Sequence, residues 1–232
     1  PPLLLIAMPA VLILLQPNLG TATIMVGVGG ILWFVAGLRW RWIIGAFVLL
    51  ASALPVAWHF LHDYQKRRVL TFLDPEKDPL GAGYNILQSM IAIGSGGLDG
   101  KGFTQGSQGQ LDFLPEKHTD FIFTMVAEEF GFIGSAALLL LFTLLFAYGI
   151  GIATRSRHRF GGLVAIGVTA MLWLHMMINM AMVMGLIPVV GIPLPFLSYG
   201  GTMLISTMLG IGLIQNVYVY RDTPLSKGIS RI

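Results

Sequence analysis

The chain contains no cysteine and very little charge. Of its 232 residues, 14 are Lys or Arg and 11 are Asp or Glu, so 11% are charged. Soluble domains carry about 25%. The missing cysteines exclude disulfides, zinc–thiolate sites and thiol nucleophiles. The missing charge excludes an ordinary soluble domain, which could not cover its surface with so few charged groups. The net charge is +3, but the bases are scattered and form no patch, which argues against nucleic acid as a partner.

What the chain has instead is apolar length. Hydrophobic residues make up 55%, and the mean hydropathy is +0.78. Residues 1–38, 42–62, 130–154 and 160–220 contain no Asp, Glu, Lys or Arg. A helix that crosses a bilayer needs about 20 apolar residues. The first run is broken at Gln16-Pro17-Asn18-Leu19-Gly20 and the last between Ile187-Pro188 and Gly200-Gly201. The expected spans are therefore 1–15, 20–38, 42–62, 130–154, 160–186 and 202–220. Backbone in lipid must satisfy its own hydrogen bonds, so these spans should be helices. The fold class is an all-α integral membrane protein, a single domain of about six transmembrane helices with one large extracytoplasmic loop. The chain opens Pro1-Pro2-Leu3-Leu4, with neither an initiator methionine nor a basic stretch, and reads as entered partway rather than as a signal peptide.

Charge is distributed unevenly. Arg39 and Arg41, then Arg155, Arg157 and Arg159, then Arg221, Lys227 and Arg231 accompany a single acid, Asp222. With six spans these places fall on one side. The positive-inside rule makes that side the cytoplasm, so both ends of the chain are expected there. Residues 63–129 hold ten of the eleven acids and the other six bases. This outward segment is long for a compact membrane protein, and such loops usually carry function.

Within it, Lys66-Arg67-Arg68 suits either a membrane-edge anchor or a clamp for a phosphorylated headgroup. Ile86, Leu87, Met90 and Ile91 predict a short interfacial helix with Gln88 and Ser89 on its other side. Gly94-Ser95-Gly96-Gly97-Leu98-Asp99-Gly100-Lys101-Gly102 fails the phosphate-loop pattern at Ser95 and at Gly102. It reads as a flexible glycine-rich loop that can still lay N–H groups against an anion.

The most informative stretch is Leu111-Asp112-Phe113-Leu114-Pro115-Glu116-Lys117-His118-Thr119-Asp120-Phe121. Its acids, at 112, 116 and 120, share one face under helical or extended spacing, and Pro115 disfavours one continuous helix. Asp120 meets the apolar Phe121-Ile122-Phe123, where partial desolvation would raise its pKa and make it a better base. Asp112, Glu116, His118 and Asp120 also suit a magnesium or manganese ion. Deeper in the spans, His175 and Asn179 stand four apart on one helix face, as interhelical hydrogen-bonding groups or as a proton relay.

Several stretches together resemble one family. They are Gln16-Pro17-Asn18-Leu19-Gly20-Thr21, Asp74-Pro75 with Asp78-Pro79-Leu80-Gly81, Gln88-Ser89 with Ala92-Ile93-Gly94-Ser95-Gly96-Gly97, Phe113-Leu114-Pro115-Glu116 with His118-Thr119-Asp120-Phe121, Ala127-Glu128-Glu129, and Pro193-Leu194-Pro195-Phe196-Leu197-Ser198-Tyr199-Gly200-Gly201. In this order they resemble the SEDS family (shape, elongation, division and sporulation), the RodA/FtsW proteins. Ile93-Gly94-Ser95 and Val189-Val190-Gly191 resemble its elongation branch, RodA, more than its division branch, FtsW. Asn18 departs from the family's aspartate at that place.

The resemblance implies about ten spans, of which this chain matches the last six. It implies an inverting peptidoglycan glycosyltransferase of the bacterial inner membrane, polymerising lipid II and releasing undecaprenyl pyrophosphate in cell-wall elongation and rod-shape maintenance. Its expected partner is a class B penicillin-binding transpeptidase. The family's essential aspartate falls on Asp120, the residue the local chemistry already singled out. A second acid, important in the division branch, falls on Asp112. Glu116, Lys117, His118, Thr119, Lys101, Arg67, Arg68, Gln88, Ser89, Ser198 and Tyr199 are the expected substrate-binding or supporting residues. A lipid flippase and a non-catalytic membrane scaffold are the competing readings.

Overall fold

In the computed structural model, residues 2–16, 18–39, 63–78, 81–106 and 118–223 are described, with isolated positions between 41 and 59. Seven α-helices occur among them: α1 (Pro2–Leu15), α2 (Leu19–Val35), α3 (Asp63–Leu73), α4 (Ala82–Ser95), α5 (Ile122–Arg155), α6 (Arg159–Val183) and α7 (Gly201–Val219). A single 3₁₀ turn, Pro75–Lys77, joins α3 towards α4. No strand occurs among the described residues. Three of these helices, α5, α6 and α7, are long and apolar enough to cross a bilayer, and α1 and α2 are shorter apolar helices.

Five of the six expected spans thus coincide with a helix. The third, 42–62, lies outside the described residues apart from isolated positions. Helix α5 also takes in residues 122–129 ahead of the fourth span, but its backbone breaks at Gly131, so the continuous helix that follows starts where the charge-free run does. The outward segment 63–129 is also less of a loop than expected, since α3, α4 and the start of α5 occupy much of it.

Local sequence explains the helix ends. Asn18 caps α2, its Oδ1 accepting from the Thr21 N–H at 3.1 Å. That gives Asn18 a structural task in which the amide serves as well as a carboxylate. Beyond α2, Gly37 takes a φ of +101°, open to glycine without strain, and ends the helix.

The helices alternate in direction. Gly27 of α2 lies against Leu174 and Gly167 of α6 against Leu32, so these two run antiparallel. The Arg157 N–H donates to the Arg221 carbonyl at 3.3 Å, joining the α5–α6 turn to the end of α7. Arg39, Arg155, Arg157, Arg159 and Arg221 therefore gather at one end of the bundle. The start of α5, the end of α6 and the start of α7 form the other end. The main core lies towards that second end, around Phe121, Phe123, Phe142, Leu172, Met176, Met180 and Leu194.

Helix α4 is present, with Ile86, Ser89 and Ala92 as its buried face and Met90 and Ile91 about half exposed. The reason is hydrogen bonding. The Ser89 hydroxyl donates to the Val183 carbonyl at 2.8 Å and lies 2.6 Å from the Thr124 hydroxyl. Its one proton goes to Val183, so Thr124 donates to it. A serine satisfied on both sides costs little to bury and ties α4, α5 and α6 together.

Candidate active site

Asp120 belongs to a tight turn, residues 118–121, that leads into α5. The residues after it explain its position. Phe121 and Phe123 are 2% and 4% exposed and anchor the turn in the main core. Their burial draws Asp120 to the apolar boundary and leaves it half-buried.

Backbone of this turn is sewn to the irregular segment between α6 and α7. The Ser198 hydroxyl donates to the Thr119 carbonyl at 2.6 Å and accepts from the Leu194 N–H at 2.7 Å. The Tyr199 N–H donates to the His118 carbonyl at 2.8 Å. From the interior of α6, the Asn179 amide donates to two carbonyls, Asp120 and Ile192, each at 2.7 Å. Asn179 is fully buried. Buried carbonyls of irregular backbone need hydrogen-bond donors, and these two side chains supply them.

The sequence places Asn179 beside His175 as an interhelical group. The structure instead gives it a clamp between a helix and two loops, while His175 bonds the Met171 carbonyl of its own helix at 2.8 Å. The only sequence signal for the clamp is a bare amide in mid-span, four residues before the end of α6. Gly191 completes the setting. It has a φ of +69°, and a side chain there would come within 3.3 Å of Asp120 Oδ2. Glycine keeps that side of the carboxylate open.

The glycine-rich stretch is ordered by a break in α5. At Gly131 the backbone leaves helical geometry, with φ 61° and ψ −157°. An unbroken helix would bond the N–H of 132 to the carbonyl of 128, and that of 133 to 129. Here the loop supplies all four missing partners. The Lys101 and Gly102 N–H groups donate to the Glu128 and Glu129 carbonyls, each at 3.0 Å. The Phe132 and Ile133 N–H groups donate to the Gly97 and Leu98 carbonyls at 2.9 and 3.1 Å. A Cβ on Gly100 would lie 2.1 Å from the Glu129 carbonyl, so the splice requires glycine. The expectation of a flexible loop with N–H groups free for an anion is therefore corrected at residues 101 and 102.

The splice also fixes a buried ion pair. Lys101 Nζ lies 2.7 Å from Glu128 Oε1, with Glu128 wholly buried and the lysine side chain 28% exposed. A buried carboxylate needs such a partner. Lys101 is thus engaged by Glu128 rather than free to meet a leaving group.

Of the other expected site residues, Thr119 is half-buried behind Asp120, His118 is exposed, and Tyr199 is 82% exposed. Ser198 and Ser89 are structural hydrogen-bonding groups, as above. Gln88 and Arg68 are half-buried on α4 and α3. Asp112, Glu116 and Lys117 lie outside the described residues, as does the side chain of Arg67. No three His, Asp or Glu side chains come together as a metal site among the described residues.

Comparison with known proteins places this arrangement. Residues 1–223 match the FtsW/RodA/SpoVE family model, described as a cell cycle protein. The chain is 50% identical over 228 residues to the peptidoglycan glycosyltransferase MrdB of Escherichia coli strain K12, covering 98% of this chain and 61% of that protein. Among solved structures, it resembles a chain of a peptidoglycan synthase complex that coordinates polymerization and crosslinking. That match has a TM-score of 0.80 at 39% identity and covers 96% of this chain and 62% of the other. It also resembles the rod shape determining protein RodA of Thermus thermophilus, with a TM-score of 0.64 at 30% identity, covering 96% and 56%. The chain spans about three fifths of the length of these relatives.

Proposed function

The chain belongs to the FtsW/RodA/SpoVE family, and from that premise we propose that it carries the reacting carboxylate of a peptidoglycan glycosyltransferase. The substrate is lipid II, and the work is cell-wall elongation. Asp120 takes the proton from the 4-hydroxyl of the acceptor GlcNAc. That oxygen attacks the anomeric carbon of the donor MurNAc from the face opposite its leaving group. The C1–O bond to undecaprenyl pyrophosphate breaks with inversion, leaving a β-1,4 linkage. The proton ends on Asp120 and the electron pair on the pyrophosphate.

The observation that carries this reading is the clamping of Asp120. Its own carbonyl and that of Thr119 are held at 2.7 and 2.6 Å by Asn179 and Ser198. A base acts efficiently only when its position is fixed relative to the proton it removes. The departing pyrophosphate needs cationic stabilisation. Arg67, Arg68 and Lys117 are the candidates, because Lys101 already faces Glu128. A magnesium or manganese ion held by Asp120, His118, Asp112 and Glu116 would serve the same purpose, and the described residues supply two of those four donors.

By the same reading the protein lies in the bacterial inner membrane. The Asp120 end faces outward, both chain ends face the cytoplasm, and a class B penicillin-binding transpeptidase is the partner. The test is lipid II polymerisation by the full-length protein carrying Asp120→Asn. Glycan synthesis should fall by about 10²–10⁴-fold, the usual contribution of a general base. Near-normal synthesis would overturn the assignment of Asp120.

The interrupted backbone at Gly131 and between Val183 and Gly201 favours one second reading, a lipid flippase, because transporters build sites from discontinuous helices. Flipping of labelled lipid II by the Asp120→Asn protein would support it.

A further inference from the structure

At the arginine-rich end, a groove of about 170 Å³ opens between α5 and α7, lined by Ala147, Tyr148, Gly151, Ile152, Arg155 and Tyr218. No step of the glycan chemistry uses it. Its floor follows from helix periodicity. Residues 147, 151 and 155 repeat every four positions, which places them on one stripe of α5. Gly151 makes the floor low, since a Cβ there would meet no atom within 4 Å. Tyr148 and Tyr218 line it as a contacting pair, with ring centroids 6.4 Å apart, and both rings are about half exposed. The groove is therefore apolar and ends on a guanidinium at Arg155, the last residue of α5.

The charges around it are unequal. Arg221 and Arg157 both lie against Asp222, at 3.2 and 3.5 Å. Arg221 also stacks over Tyr218, 4.6 Å from the ring centroid, which stiffens that ring. Arg155 and Arg159 are exposed, and neither has an acid within ion-pair distance among the described residues. An apolar slot about 10 Å long, estimated from seven helical residues between Tyr148 and Arg155, ending on an unneutralised arginine and flanked by tyrosines, matches an acyl stem below a phosphate. Basic pockets between spanning helices recognise anionic headgroups in this way, and tyrosine suits the membrane–water boundary.

We propose that this groove is a binding site for one anionic phospholipid. Its phosphate lies on Arg155, and the start of one acyl chain lies on Gly151 alongside the paired rings of Tyr148 and Tyr218. The site stands at the opposite end of the bundle from Asp120 and does not depend on the reaction proposed there.

Native mass spectrometry of the full chain in detergent tests this. The protein is titrated with phosphatidylglycerol or with phosphatidylcholine of the same acyl chains. Phosphatidylglycerol should be retained at least about fivefold better, the factor for one basic group near a lipid phosphate. Arg155→Gln should abolish that preference, and Arg159→Gln should leave it within about twofold. Gly151→Leu fills the groove without changing charge and should weaken both lipids. Arg155 is exposed, so its variant keeps the test open if Gly151→Leu fails to fold. Equal effects of Arg155→Gln and Arg159→Gln would reduce the site to diffuse surface attraction and overturn the proposal. So would wild-type binding by Gly151→Leu, or competition by glycerol 3-phosphate as strong as by the lipid. Crosslinking of Gly151→Cys to a partner's spanning helix in the assembled complex would also overturn it, by giving the groove another occupant.

Discussion

The two ends of the bundle handle polarity in opposite ways. At the Asp120 end, polar side chains are buried and hold irregular backbone. Asn179, Ser89, Thr124 and Glu128 are all fully buried there. At the arginine end, charges sit at the surface and pair loosely, as in Arg157–Asp222, whose side chains are 76% and 66% exposed. The contrast teaches where structure has been committed to a fixed geometry. Buried hydrogen bonds and ion pairs are costly to break, and exposed pairs contribute little. One end fixes irregular backbone with buried polar groups, and the other leaves its charges exposed.

The comparison can be broken most strongly at Asp120 itself. The Asp120→Asn loss of polymerisation, with folding intact, is the largest effect expected. The next is Lys101→Ala. It strands a buried Glu128 carboxylate and should destabilise the protein by about 3 kcal/mol, the lower range for breaking a buried pair. Thermal unfolding of the purified protein measures it, and Lys101→Met with Glu128→Gln should recover part of the loss. If Lys101→Ala is neutral, the two ends do not differ in the way described.

Asn179→Leu should follow. It removes two hydrogen bonds to loop carbonyls and should cost about 1–3 kcal/mol. If the clamp positions Asp120, turnover falls more than stability explains, while substrate KM changes little. The smallest effect belongs to the other end. Asp222→Asn should shift stability by less than about 0.5 kcal/mol, the usual worth of an exposed pair. Its hydrogen bond holds the Arg221 guanidinium above its ordinary pKa. That group is charged at any physiological pH in either case, so the pair is no pH switch.

Much of the fold was legible in composition. Charge-free runs marked five helices to within a few residues, and Glu128 and Glu129 stand just before the break at Gly131. Lys101, 27 residues away, makes the burial of Glu128 affordable. Ser89 is a similar case. On its own helix it is the polar exception, and only Val183 and Thr124 show that its inward position is satisfied. The glycine-rich loop read as flexible because its partner, the break at Gly131, lies 29 to 37 residues further on, and no local pattern announces it.

Sequence alone marked lipid as the solvent, five of the helices, the runs that carry the arginines and Asp120 as the candidate. Each depends on composition or near-neighbour chemistry: apolar length, charge counts, an acid beside an aromatic run. Tertiary structure alone decided what holds Asp120. Asn179 reaches the Asp120 carbonyl across 59 positions of chain, and Ser198 reaches the Thr119 carbonyl across 79. Hydrogen bonds between backbone carbonyls and distant side chains follow the packing of helices and leave no periodic trace in the order of residues.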